Sequence, residues 1–139
     1  MRTGIFNPLH NRYSYSSTRQ TVLIPLDATD ATLSFWLYPA SSEPAYLSLP
    51  TNVLGLREED AANFGDAQVV LILDQFGNEL EQLVNMRRND QDWLLYSFDV
   101  SHYADETIQI YFGTINNGRY GITGMYVDDV TLRSCAIQP

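Results

Sequence analysis

Alternation of apolar and polar residues organises most of this chain. From Ala31 to Pro39, Leu33, Phe35 and Leu37 fall on one face and Ser34, Trp36 and Tyr38 on the other. That period of two is the period of a strand, whose successive side chains point to opposite sides. The first face is core. The second is amphipathic and aromatic, so it either supports a further layer or presents a surface for recognition. Trp93 to Val100 repeats the pattern, with Leu94, Tyr96, Phe98 and Val100 opposed to Trp93, Leu95, Ser97 and Asp99. Arg19 to Pro25 alternates as well, and Pro25 ends it because proline has no N–H to give a ladder. Gln68 to Asp74 contains the nearly continuous run Val69-Val70-Leu71-Ile72-Leu73 and is the best candidate for a central strand. Phe76-Gly77-Asn78-Glu79 turns it into a partner strand, Leu80 to Met86. Thr107 to Phe112 follows, with Ile108, Ile110 and Phe112 inward, and Met125 to Leu132 closes the series with Val127, Val130 and Leu132 as core.

Between these segments the period disappears. Met1 to Ser17 is polar and aromatic and reads as irregular, with one short strand. Residues 40 to 66 contain Pro44, Pro50 and Gly55 and support one helical turn near Glu58 to Asn63. A loop that long is expected to be functional or mobile. Repeated strands without a convincing helix predict an all-β fold, an antiparallel β-sandwich of jelly-roll type, forming a single domain over residues 1–139.

Composition narrows the partners. The 139 residues carry eight basic side chains, all Arg, against seventeen Asp and Glu, for a net charge of -9. A surface that acidic repels phosphate backbones and argues against nucleic-acid and anionic-membrane roles. No apolar run approaches the roughly 18 residues that span a bilayer, and no signal-peptide core is visible, so an export signal is expected outside this chain. Cys135 is the single cysteine and excludes an intramolecular disulfide.

The segment Trp93-Leu94-Leu95-Tyr96-Ser97-Phe98-Asp99-Val100, continuing to Phe112, together with Tyr126-Val127-Asp128-Asp129-Val130-Thr131-Leu132, resembles the jelly-roll modules appended to secreted bacterial proteins. Those are similar in turn to MAM-like and galactose-binding-like carbohydrate-binding modules. Tyr15-Ser16-Ser17, Gln20-Thr21-Val22 and Ala31 to Trp36 resemble their early strands, and the likeness spans roughly residues 14–134. It implies an extracellular or cell-surface binding or adhesion module, with a glycan or a neighbouring protein chain as partner. It also implies an opening strand ahead of Thr3-Gly4-Ile5, supplied upstream or by another chain, whose absence leaves an edge open to self-association.

In such modules an acidic residue of the last strand helps hold a structural calcium ion, and Asp128 or Asp129 matches it. The alternative is that one Asp bonds backbone amides at a bulge and the other is solvated, because calcium takes six to eight oxygens and one strand offers few. For sugar stacking, the exposed-loop candidate is Tyr120 beside Asn116, Asn117 and Arg119, where amides and a guanidinium are available for hydroxyls. Catalysis has little support. His10 and His102 are isolated, and the pairs Glu58-Glu59 and Asp128-Asp129 read as solvated acids.

Overall fold

The computed structural model describes residues 1–136, so the last three positions of the expected 1–139 domain lie outside it. Among these residues the strands are β1 (Arg2–Gly4), β2 (Tyr13–Leu23), β3 (Ala28–Ser41), β4 (Ala67–Asp74), β5 (Glu79–Met86), β6 (Leu94–Asp99), β7 (Thr107–Asn117) and β8 (Thr123–Ala136). A single helical turn, α1 (Glu58–Ala61), stands where one was expected. All pairings are antiparallel. They form two four-stranded sheets, ordered β1-β8-β3-β6 and β2-β7-β4-β5. The chain is an all-β sandwich.

The period-two strands explain the core between the sheets. Leu33, Phe35 and Leu37 of β3 meet Val70 and Ile72 of β4 and Ile110 and Phe112 of β7, all buried. Phe35 lies at the centre, stacked on Tyr96 and Phe98 and edge-on to Phe112 at 5.1 Å.

The continuous run of β4 has a different cause. Its other face, Val69, Leu71 and Leu73, joins Tyr111, Ile115 and Val53 in a second apolar cluster on the outer side of the β2-β7-β4-β5 sheet. The aperiodic stretch 42–66 lies over this cluster, contributing Leu49, Val53, Leu54 and Leu56. Tyr13 and Tyr15 pin it down by donating their hydroxyls to the carbonyls of Leu56 and Val53. The long loop therefore covers one sheet, and β4 is buried on both faces as a result.

Several local expectations change. Tyr13 to Ser17, expected to be irregular, belongs to β2, where pairing with β7 along its whole length outweighs a polar composition. The expected turn at Asn116 begins two residues later, because β7 runs through Asn117. Val130 is not core. Asp129 takes a positive φ of 50° and the β3–β8 register slips between Ser34 and Trp36, a bulge that breaks the alternation and leaves Val130 39% exposed. The edge position ahead of β8 is held by β1, which pairs with Gly124 to Tyr126.

Candidate functional site

Around Trp36 the outer face of the β1-β8-β3-β6 sheet is left uncovered by loops among the described residues. It displays the outward residues of β3, Asp30, Thr32, Ser34, Trp36 and Tyr38, flanked by those of β6 and β8. Strand register sets the neighbours: Trp36 lies between Leu95 and Asp128, Ser34 between Ser97 and Thr131, and Thr32 has Arg133 at its side. The face therefore grades from aromatic to hydroxyl-bearing to charged.

At the aromatic end four rings form a row across the strands. Trp93 meets Tyr38 edge-on at 5.6 Å, Tyr38 meets Tyr126 at 5.9 Å, and Tyr126 meets Phe6 at 4.9 Å. Phe6 reaches the sheet because Gly124 lies beneath it; a Cβ at Gly124 would stand 2.5 Å from Phe6 Cε2. One step along β3, Trp36 is 36% exposed beside Leu95, which is 58% exposed. Next to Trp36 is a shallow depression of about 630 Å³ with Ser34, Thr131, Asp129 and Arg133 in its wall. Aromatic faces beside hydroxyls, a carboxylate and a guanidinium make a surface for a flat, hydroxyl-rich ligand: rings pack on its C–H faces and polar groups satisfy its edges.

The residues singled out in the sequence fall in two other places. Asn116 and Asn117 are buried at the β7–β8 end of the sandwich, and their amides bond within the protein. Asn116 Nδ2 donates to the Thr123 carbonyl at 2.9 Å and its Oδ1 accepts from Thr123 N at 2.8 Å. Asn117 donates to the Phe64 carbonyl and accepts from Arg119 N, both at 2.8 Å. Arg119 and Tyr120 are exposed on the turn that these amides frame, with Tyr120 at a φ of 60°. The structure thus brings the four together in sequence but leaves only two facing solvent.

Asp128 and Asp129 lie at the bulge on the open face. Asp128 Oδ1 accepts from Asp129 N at 2.9 Å, and both side chains are exposed. Two carboxylates on an open strand do not by themselves furnish a calcium cage. Among the described residues no group of three His, Cys, Asp or Glu side chains is placed to hold a metal.

A buried acidic pair carried no sequence signal, because both members belong to the aperiodic stretch. Asp66 is fully buried; its Oδ1 accepts from Asn117 N at 2.8 Å and its Oδ2 from Thr123 Oγ1 at 2.7 Å. Glu43, 8% exposed, accepts from Asp66 N and Gly121 N at 3.2 and 3.3 Å. Burial first, then the hydrogen bond and charge of Asp66, push the Glu43 carboxyl up to about 8. Arg87 closes the same region by donating to the backbone carbonyls of Asp66 and Leu47. Elsewhere burial, followed by the hydrogen bond to Glu81, raises the Tyr103 hydroxyl.

These observations define an all-β sandwich with one covered and one open sheet face. No protein-family model and no curated protein matches the sequence. Among solved structures the chain is similar to one described as a family 35 carbohydrate binding module from an environmental isolate. The identity is 12%, the TM-score 0.37, and the match covers 99% of this chain and 91% of that one. A likeness at that level carries no weight for ligand or mechanism; the sandwich rests on its strand pairings.

Proposed function

We propose that this chain is a non-catalytic binding module, placed outside the cell or at its surface, that takes a carbohydrate on the open face of the β1-β8-β3-β6 sheet. The observation that carries the reading is the partly exposed Trp36, beside Leu95 and a polar depression, on a part of the sheet face left uncovered among the described residues. An exposed apolar patch rimmed by polar groups marks an interaction site more often than chance. Asp66 and Glu43 are buried and hydrogen-bonded to backbone and side-chain donors, so they do not meet a substrate. Arg119 and Tyr120, on the neighbouring turn, are a second place where a sugar ring can rest.

A glycan panel followed by calorimetry tests this. Trp36→Ala is expected to weaken binding about tenfold, the scale of one aromatic contact, measured at a temperature well below the melting point of the variant so that lost sheet packing does not enter. Tyr120→Ala separates the turn from the face by the same measurement. A broad panel with no binder, or a Trp36→Ala variant that binds as tightly as wild type, refutes the reading.

A different class of partner is favoured by one feature. From Asp128 to the end of β8 the strand pairs only with β3, so its far edge is free among the described residues. Such an edge accepts a strand from another chain, which would make the protein a structural subunit or adhesion element. Sedimentation that finds a monomer at all concentrations tested counts against this.

A further inference from the structure

The aromatic row ends on Phe6, and a second cavity begins there. Between β1 at the edge of one sheet and β2 at the edge of the other lies a cleft of about 540 Å³, with Arg2, Phe6, His10, Arg12 and Ser14 among its walls. In a chain of net charge -9 no Asp or Glu among the described residues lines this cleft. Neither Arg2 nor Arg12 forms an ion pair with a carboxylate among the described residues. The Arg2 guanidinium lies 5.4 Å from the centre of the Phe6 ring, a contact that orients the fork without neutralising it.

The backbone of the edge strand β1 adds to these groups. On β1, the backbone groups of Met1 and Ile5 bond to β8. In an antiparallel ladder the intervening Arg2 and Gly4 then turn their N–H and C=O groups to the side away from β8. Guanidiniums without a carboxylate partner, beside edge-strand amides and a lining free of acids, are the recognition chemistry of an oxyanion.

We infer that this cleft is an anion subsite for the acidic group, carboxylate or sulfate, of a glycan lying along the aromatic row. Arg2 links the two parts, because it is the register partner of Tyr126 and packs on Phe6, which touches Tyr126. The inference rests on the glycan reading of the open face and adds the class of ligand: an acidic polysaccharide in preference to a neutral one.

The test compares oligogalacturonate with its methyl ester, a sulfated galactan with its desulfated form, and inorganic sulfate alone. Binding is followed by calorimetry and by the arginine Nε–Hε signals in NMR. Each acidic glycan is expected to bind about tenfold tighter than its neutral counterpart, the scale of a charge-assisted hydrogen bond. Sulfate alone is expected to shift the Arg2 and Arg12 signals. The double variant Arg2→Gln with Arg12→Gln, at exposed positions, is expected to erase the preference while retaining neutral binding and the wild-type melting temperature. Equal affinity for acid and neutral forms, with Trp36 still required, overturns the anion subsite and leaves the face reading standing. Sulfate shifts with no glycan bound overturn the face reading and the glycan assignment with it.

Discussion

Replacing Glu43 by Gln tests whether the buried acidic pair sets the pH dependence of stability. In the folded chain burial and Asp66 push the Glu43 carboxyl from 4.5 to about 8, so the folded state keeps this proton over a range in which the unfolded chain has released it. The unfolded state then binds fewer protons than the folded one, and stability falls as pH rises from about 4.5 to about 8. Half of that displacement, allowing for the loop to relax and admit water as Glu43 ionises, at about 1.36 kcal/mol per unit, gives a loss on the order of 2 kcal/mol. For a chain of this size the melting temperature is then expected to drop by about 5–10 °C between pH 5 and pH 8. The carboxyls of Asp74, Asp90 and Asp99, held below the usual range chiefly by hydrogen bonds from Asn78, Arg88 and Ser101, act below this window. A background carrying His10→Gln and His102→Gln removes the imidazoles from it. In that background Glu43→Gln keeps a neutral donor toward Asp66 and is expected to melt at nearly constant temperature from pH 5 to pH 8. A parent that shows no fall across the window, or a Glu43→Gln variant that retains the slope, refutes the reasoning.

Phe35→Ala empties the centre of the inter-sheet core, where the ring is fully buried among Tyr96, Phe98 and Phe112; urea denaturation is expected to show a loss of about 3–5 kcal/mol. Asn116→Ala removes both amide contacts to the Thr123 backbone and leaves buried groups unpaired. It is expected to cost about 1–3 kcal/mol, and any change in glycan affinity larger than that unfolding accounts for would return Asn116 to the binding site. For Asp128 and Asp129, a calcium-dependent rise in melting temperature that Asp128→Ala and Asp129→Ala both abolish would establish a metal site with ligands beyond the two; no rise removes it.

Strands were legible wherever one face is core and the other solvent, because burial then imposes a period of two. Leu33, Phe35 and Leu37 on β3 read as core on that ground, and on β6 the same period separates Tyr96 and Phe98 from Trp93 and Leu95 without saying which set is inward. Legibility fails where another constraint replaces the period. β2 is an edge strand whose ladder with β7 fixes it whatever its side chains, so Tyr13 to Ser17 looked irregular. At Asp129 the backbone itself changes hand, and a pattern in side chains carries no trace of that beyond two adjacent acids. Asn116 and Asn117 looked like ligand-binding loop amides because composition does not distinguish an amide facing water from one closing the turn between the two sheets. The acidic pair was hidden for a related reason: Glu43 and Asp66 are 23 positions apart in an aperiodic stretch, and only the fold brings them together.

The two outer faces of the sandwich treat their apolar residues differently, and that contrast is the strongest physical ground for locating function. Val69, Leu71 and Leu73 face outward on one sheet and are fully buried, because the stretch 42–66 has been spent on covering them. Trp36 and Leu95 face outward on the other and remain exposed. An antiparallel sheet with one solvated face ordinarily fills that face with small polar and charged residues, as Thr32, Ser34, Ser97 and Thr131 do here. A tryptophan beside a leucine among those hydroxyls contributes little to the core and adds an aggregation hazard. The same fold shows how such residues are shielded when burial is the purpose, so the unshielded pair is best explained by a ligand that covers it. Trp36 is therefore the position to vary first, ahead of the β7–β8 turn.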